Sequence, residues 1–168
     1  MLNKTMQDAM NNQIQAELYS SYIYLSMAAY FESSNLLGAA NWMRLQSQEE
    51  LAHALKFFDH INERGGRVEL MAIDAPPIQF ESPLAVFKMA YEHEQKVTGM
   101  IHDLYKLAVA QNDYPALSML QWFVDEQVEE EQSALAVVEK LEMIGDNKMG
   151  LFMIDRELGQ RQPEAEEE

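Results

Sequence analysis

Six polar residues recur at matched spacings in the two halves of this chain. In each half the separations are 33 residues and then 3 residues. The six are Glu17, Glu50 and His53 in the first half, and Glu94, Gln127 and Glu130 in the second. Residues three apart share one face of a helix, so each half offers a lone carboxylate and a paired motif. Two such sets on four helices are typical of a bundle that holds two metal ions in its core, and we predict such a centre here.

The ligand types restrict the metal. The chain contains no Cys, which excludes disulfides, iron–sulfur clusters and thiolate zinc sites. Carboxylate oxygens and one imidazole nitrogen favour hard or intermediate metals, with iron and manganese first. Unpaired carboxylates cost several kcal/mol each in an apolar interior, whereas two divalent ions balance four of them. We therefore expect two ions in the core.

The two halves differ in chemistry. Relative to a symmetric pair of Glu-x-x-His motifs, Gln127 lacks a charge and Glu130 adds one, so the total of four carboxylates is kept. One site is expected to use Glu17, Glu50 and His53 and so to include nitrogen. The other is expected to use oxygen alone, from Glu94 and Glu130, with Glu50 placed to bridge. The two metals should bind unequally.

Helical periodicity dominates the sequence, and no segment alternates in the manner of a strand. The breaks predict four long helices and a short amphipathic fifth, at residues 4–33, 38–64, 83–111, 114–144 and 148–159. The metal-binding candidates lie near the midpoints of the four long helices, on apolar stripes. They therefore meet at mid-height whichever way each helix runs.

The connections predict the topology. Short loops join the first helix to the second and the third to the fourth, which makes two antiparallel hairpins. Residues 67–81 are different, because Pro76, Pro77 and the following Pro83 prevent helix, and an extended segment of this length can run the height of the bundle. We predict an all-α four-helix bundle with one long crossover. Residues 1–160 form one domain, and residues 161–168 form an acidic disordered tail.

Charge excludes some partners. Asp and Glu number 28 against 12 Lys and Arg, a formal net charge of -16, so nucleic acid is not an expected partner. The negative electrostatic potential of such a protein favours cations as partners. The N-terminus lacks a secretory apolar segment, and no stretch reaches the roughly 18 apolar residues of a membrane span. A cytoplasmic protein without a membrane partner is expected.

Other candidates have two interpretations from the residues alone. Glu49, Glu126 and Glu129 could form an accessory metal site or a solvated face. Tyr24 lies two turns from Glu17 and could supply an electron to the centre or be an ordinary core tyrosine. The remaining histidines are expected at the surface rather than as ligands, and they are His60, His93 and His102.

Several motifs resemble one family. They are Glu17-Leu-Tyr-Ser-Ser, Gln48-Glu-Glu-Leu-Ala-His53, Tyr91-Glu-His-Glu94, Asp113-Tyr-Pro, and the run from Gln121 to Glu131. Together they resemble the non-haem ferritins of bacteria and archaea, over residues 2 to about 158. The resemblance implies a ferritin-like bundle, a hollow cage of 24 subunits, oxidation of Fe(II) by dioxygen or peroxide at a di-iron ferroxidase centre, and storage and detoxification of iron as a ferric mineral. An unidentified reductant would release that iron.

The resemblance also assigns roles to residues. It implies a first iron on Glu17, Glu50 and His53, a second on Glu50, Glu94 and Glu130, Gln127 as a hydrogen-bonding neighbour, and a third iron at Glu49, Glu126 and Glu129. Bacterioferritins carry Glu-x-x-His in both halves and a haem-ligating Met after the second-helix Glu. Here Leu51 takes that position, so haem is not expected.

Two other functions compete with iron storage. One is a di-iron peroxide reductase related to rubrerythrin, in a small oligomer, although the lack of Cys removes the rubredoxin module that such enzymes usually carry. The other is a metal-free structural bundle in which the central polar residues only specify packing. Particle mass and sensitivity to chelators distinguish these possibilities.

Overall fold

The computed structural model describes residues 2–163. Within this range it contains no strand and five helices: α1 Lys4–Ser33, α2 Leu37–Glu63, α3 Pro83–Gln111, α4 Tyr114–Ile144 and α5 Lys148–Leu158. The predicted all-α four-helix bundle with a short fifth helix is confirmed. Relative to the predicted ranges, α2 begins and ends one residue earlier and α5 ends one residue earlier.

Local sequence explains where the helices begin. Side-chain oxygens that precede α1, α3, α4 and α5 accept hydrogen bonds from backbone N–H groups of the first turn, and they belong to Asn3, Ser82, Asp113 and Asn147. The N-terminus of α2 has no such cap from its own preceding residue. Asp155 of α5 replaces it, because its Oδ1 accepts from the Ala39 N–H at 2.8 Å. A residue 116 positions away therefore caps α2.

The crossover lies along α1. The Asn11 amide donates to the Arg67 carbonyl at 3.1 Å and accepts from the Glu69 N–H at 3.0 Å. Further along, the Ser26 hydroxyl donates to the Pro77 carbonyl at 2.5 Å. Residues later in α1 contact residues later in the crossover, so the two segments run in the same direction. The crossover therefore carries the chain back to the end of the bundle where α1 ends, and α3 starts there antiparallel to α1.

Two apolar clusters fill the bundle, one towards each end. One cluster includes Phe31, Trp42 and Phe87, and the other includes Met10 and Phe57. Buried polar residues lie between them in a layer at mid-height, and they are Gln13, Glu17, Ser20, Gln46, Glu50, His53, Glu94, Gln127 and Glu130. The apolar clusters thus keep water from both sides of a central polar layer.

The fifth helix packs on α2 through two glycines. A Cβ on Gly38 would lie 1.6 Å from the Asp155 carbonyl oxygen, and a Cβ on Gly159 would lie 3.3 Å from the Gly38 Cα. Only a residue without a side chain permits this approach at Gly38. The glycine contact and the Asp155 cap together dock α5 against the start of α2.

The predicted tail differs from the structure at its first residue. Arg161 is largely buried and pairs with Glu49 of α2, so the chain is still packed on the bundle there. Residues 164–168 lie outside the described residues. In the part of the chain that the structure describes, no helix combines the length and apolar character needed to cross a lipid bilayer.

The Gly38 contact leads to a stability prediction. We expect Gly38→Ala to lower the free energy of unfolding by at least about 2 kcal/mol, because the new methyl group cannot coexist with the docked α5. Denaturant unfolding measures the change. The matched control is Gly99→Ala, where a Cβ meets no atom of the described part of the chain within 4 Å. That substitution should stabilise by about 0.5–1 kcal/mol, and equal effects at both positions would contradict the packing assignment.

Candidate metal centre

All six repeated residues face the interior at one level of the bundle. Their side chains come from α1, α2, α3 and α4, and their exposed fractions lie between 1% and 6%. Each long helix presents them on its buried stripe, since residues three apart lie on one face. The structure therefore brings the six together, although they span 113 positions of sequence.

Their ligand atoms form two overlapping groups. One oxygen or nitrogen from each of Glu17, Glu50 and His53 lies within 4.8 Å of the others, and the same holds for Glu50, Glu94 and Glu130. Glu50 belongs to both groups, which is the arrangement of a bridging carboxylate. The first group contains one nitrogen ligand, and the second contains only oxygen ligands.

A third group was not foreseen from the sequence. His53, Glu126 and Glu130 also bring ligand atoms within 4.8 Å of one another. Glu126 precedes Glu130 by one helical turn, so it extends the cluster along α4. Glu49 and Glu129 are in none of the groups found among the described residues. Glu49 instead pairs with Arg161, and Glu129 is exposed.

Two buried glutamines support the carboxylates. Gln13 Nε2 donates to Glu17 Oε1 at 2.8 Å. Gln46 Nε2 donates to Glu50 Oε1 at 3.1 Å and to Glu130 Oε2 at 2.6 Å, which links α2 to α4 across the centre. Neither role was predicted from the sequence. A signal was present, because Gln13 and Gln46 are also 33 residues apart and each precedes a Glu by four positions.

Glu94 has two donors of its own. The Tyr24 hydroxyl donates to Glu94 Oε1 in a short hydrogen bond. Gln127 Nε2 lies 3.2 Å from Glu94 Oε2 and 3.2 Å from Thr98 Oγ1. Gln127 is thus a hydrogen-bonding neighbour of the carboxylate, and Tyr24 is in direct contact with a candidate ligand.

The donor set fits a pair of metal ions. Among the described residues, no Lys or Arg forms an ion pair with Glu17, Glu50, Glu94 or Glu130. Glu17 Oε2 is buried and accepts no hydrogen bond from any of residues 2–163. A buried carboxylate oxygen in that condition is costly without a further partner, and a cation in the first ligand group would supply one.

His93 differs from the expectation that it lies at the surface. Its ring is half-buried, its Nε2 lies 2.7 Å from Ser20 Oγ, and it meets the edge of the Tyr24 ring. Burial lowers the pKa of His93 to about 4, so the ring is neutral near pH 7. It belongs to none of the ligand groups found among residues 2–163. We interpret it as a packing partner of Tyr24.

Comparison with known proteins identifies the family. Residues 7–144 match the model of the ferritin-like domain. This chain belongs to the ferritin family. Membership supports a role in iron storage, and the carboxylate and histidine groups described above are candidate metal sites within a ferritin bundle.

Individual relatives agree over nearly the whole chain. A bacterial non-haem ferritin of Bacteroides fragilis is 44% identical over 161 residues, which cover 96% of this chain and all of the relative. One of Staphylococcus aureus is 38% identical, with coverage of 96% and 97%. The solved structure of an open-pore ferritin from the archaeon Archaeoglobus fulgidus is 53% identical, with a TM-score of 0.95 and coverage of 96% and 98%.

The carboxyl groups of this ferritin are strongly perturbed without metal. Burial is the main cause, and it raises the pKa of Glu17, Glu50, Glu94 and Glu130 above their usual range. The pKa of Glu94 is raised to about 7. Repulsion from Glu94 further raises the pKa of both Glu50 and Glu130. The metal-free centre therefore retains protons that a bound cation would displace.

These pKa shifts predict a pH dependence. Between about pH 4.5 and 7, Glu94 is protonated in the folded protein and ionised in the unfolded chain, so its contribution to stability falls as pH rises. Glu94→Gln removes this contribution. Both proteins are measured in the presence of chelator. We expect the free energy of unfolding of Glu94→Gln minus that of the native protein to increase as pH rises, by at most about 1.4 kcal/mol per pH unit.

The matched control is Glu92→Gln, which changes an exposed residue of the same helix. Denaturant titrations at several pH values in that window compare the three proteins. Glu92→Gln should follow the native pH profile. A stability difference between Glu94→Gln and the native protein that does not vary with pH would contradict the assignment.

Proposed function

We propose that this ferritin oxidises Fe(II) with dioxygen or peroxide at an intrasubunit di-iron ferroxidase centre and stores the ferric product inside a protein cage. The observation that carries the proposal is the pair of ligand groups that share Glu50. Family membership supports the choice of iron as the metal. Iron is thus the substrate and the cargo of the protein.

Charge balance explains why two ions bind together. Four carboxylates in a dry layer repel one another, and two Fe(II) ions neutralise them. A single ion would leave part of that repulsion in place. Because Glu50 contributes to both groups, occupation of one site aligns a ligand of the other. Binding of the pair is therefore expected to be cooperative.

The ligand set also favours oxidation. Two Fe(II) ions each give up one electron, and one dioxygen molecule accepts both and is reduced to the level of peroxide. Carboxylate oxygens are hard ligands and stabilise Fe(III) more than Fe(II). The group of Glu50, Glu94 and Glu130 has no nitrogen and is expected to bind its ion less tightly than the group with His53. Unequal sites suit a centre from which the product moves on to storage.

Tyr24 is suited to support this reaction. Its hydroxyl is fixed on Glu94, and burial, with the charge of Glu94, raises its pKa well above 10. The phenol therefore remains protonated and orients the carboxylate. Its contact with a ligand of the second group also makes it a candidate source of one electron. The residue thus joins the catalytic set of Glu17, Glu50, His53, Glu94, Gln127 and Glu130.

Storage requires an assembly. We propose a homo-oligomeric cage of 24 subunits in the cytoplasm, with release of iron by a separate reductant. At 19.3 kDa per chain such a cage has a mass of about 460 kDa. Exposed apolar side chains on α5, which include Phe152 and Met153, are consistent with contacts between subunits.

The shared position of Glu50 predicts a graded loss of iron binding. In anaerobic Fe(II) titration, we expect two ions per native subunit, loss of one tight ion in Glu17→Gln, and weakening of both in Glu50→Gln. The initial oxidation rate of Glu50→Gln should fall at least about tenfold, because both ions lose a ligand. Glu92→Gln serves as the control and should match the native protein. Native occupancy in Glu50→Gln would refute the assignment of the centre.

Particle mass tests the storage function separately. Light scattering of the iron-loaded protein should give a mass near that of the 24-subunit cage plus mineral, with ferric iron retained after gel filtration. A dimer that turns over peroxide and retains no mineral would support the rubrerythrin-like alternative. Stability unchanged by Fe(II) or chelator would support a purely structural bundle.

A further inference from the structure

Gln46 holds two candidate ligands that belong to different helices. Its side chain is fully buried in the central polar layer. Its amide nitrogen, Nε2, donates to Glu50 Oε1 on α2 at 3.1 Å and to Glu130 Oε2 on α4 at 2.6 Å. An amide nitrogen of this kind carries two hydrogens, so one hydrogen serves each carboxylate. The amide therefore links Glu50, which the first and second ligand groups share, to Glu130, which the first group lacks.

Arg161 determines which way this amide faces. Its Nη1 lies 2.9 Å from Gln46 Oε1, and a guanidinium has only N–H donors, so the amide oxygen must face Arg161. The guanidinium is itself held, because Nη2 lies 2.5 Å from Glu49 Oε2 and Cζ lies 4.5 Å from the centroid of the Trp42 ring. The amide therefore presents its N–H groups to the two carboxylates, and turning it over would break the hydrogen bonds on both of its sides.

Gln13 provides an internal comparison. It stands 33 positions before Gln46, and its side chain is also buried, at 1% exposure. Its Nε2 donates to Glu17 Oε1 at 2.8 Å. Among the groups found in residues 2–163, Glu17 belongs to the first alone. Gln13 thus holds one ligand of one group, whereas Gln46 joins a shared ligand to a ligand from the opposite hairpin.

We propose that Gln46 is a positioning residue that couples the two metal groups, by transmitting the binding of an ion at Glu50 to the carboxylate of Glu130. The inference rests on the proposed two-ion centre. An ion in the first group restricts Glu50, the restricted carboxylate holds the amide, and the amide holds Glu130. The second group then receives its ion with one more ligand already in place. By linkage, an ion in the second group favours the first group to the same extent.

The test measures this coupling with Co(II), which stands next to Fe(II) in the affinity order of divalent metals. Assembled full-length protein is titrated anaerobically, and the visible absorption of Co(II) reports its coordination. The ion of the second group is identified by its absence from Glu94→Ala. Its affinity is measured with the first group intact and again in Glu17→Gln, which impairs the first group alone. The ratio of these two affinities is the coupling factor.

The variants compare the two buried glutamines. Asparagine keeps the amide but is shorter by one C–C bond, about 1.5 Å, which is enough to break these hydrogen bonds. We expect Gln46→Asn to lower the affinity of the second group about tenfold and the coupling factor about fivefold. Gln13→Asn should weaken only the first group and keep the native coupling factor. Gln46→Met has a similar length but no N–H donor, and it should show the same loss, so the result does not depend on one variant.

The outcomes separate this inference from the proposed function. A native coupling factor in both Gln46 variants overturns the role of Gln46. An equal loss of coupling in Gln13→Asn also overturns it, because the polar layer would then have loosened as a whole. Oxidation of Fe(II) by dioxygen is measured on the same native protein. A protein that couples two Co(II) ions through Gln46 but leaves Fe(II) unoxidised refutes the ferroxidase function and keeps the role of Gln46.

Discussion

Four carboxylates share a dry layer in the middle of this bundle, and the rest of the structure is arranged around that constraint. Glu17, Glu50, Glu94 and Glu130 are at most 6% exposed, and apolar clusters lie on both sides of them. Helices of matched length place one or two ligands each at the same height. The crossover reverses the second hairpin so that its ligands meet those of the first. Without cations these groups keep protons; with two divalent ions the layer is neutral.

The internal repeat is less symmetric in structure than in spacing. Gln13 and Gln46 stand four positions before Glu17 and Glu50, and each donates to its own Glu. At the equivalent positions of the second half stand Ala90 and Phe123, which are fully buried and apolar. The first hairpin therefore supplies both of the amides that stand four positions before a Glu, as well as the imidazole. The two ligand groups therefore differ both in their ligands and in the residues that hold those ligands, which supports the proposal that they would bind metal unequally.

The sequence alone was sufficient to predict the helices, but it was not sufficient to predict every residue at the candidate metal centre. Helices and their buried faces follow from local periodicity and from capping residues such as Ser82, so the position of each ligand on a stripe could be predicted. Arg161 could not, because it meets Glu49 across 112 positions and lies in a segment whose composition indicates disorder. His93 was also misjudged, because its burial depends on Ser20 and Tyr24 of a different helix. Contacts between hairpins or with the C-terminal segment carry no local pattern.

The location of Arg161 beside the centre, rather than within it, follows from the energetics of burial. A guanidinium bonded to Glu50 or Glu130 would neutralise a ligand permanently, and the inner groups would then lose affinity for a second ion. Glu49 is one residue further round the helix and at 13% exposure is less buried than Glu50. A guanidinium at Glu49 makes the local potential less negative without joining either ligand group. It reaches the ligands only through Gln46, which accepts a hydrogen bond from Arg161 and donates one to Glu130. The protein therefore holds a permanent cation beside the centre and still leaves the four central carboxylates without an ion pair to Lys or Arg among the described residues.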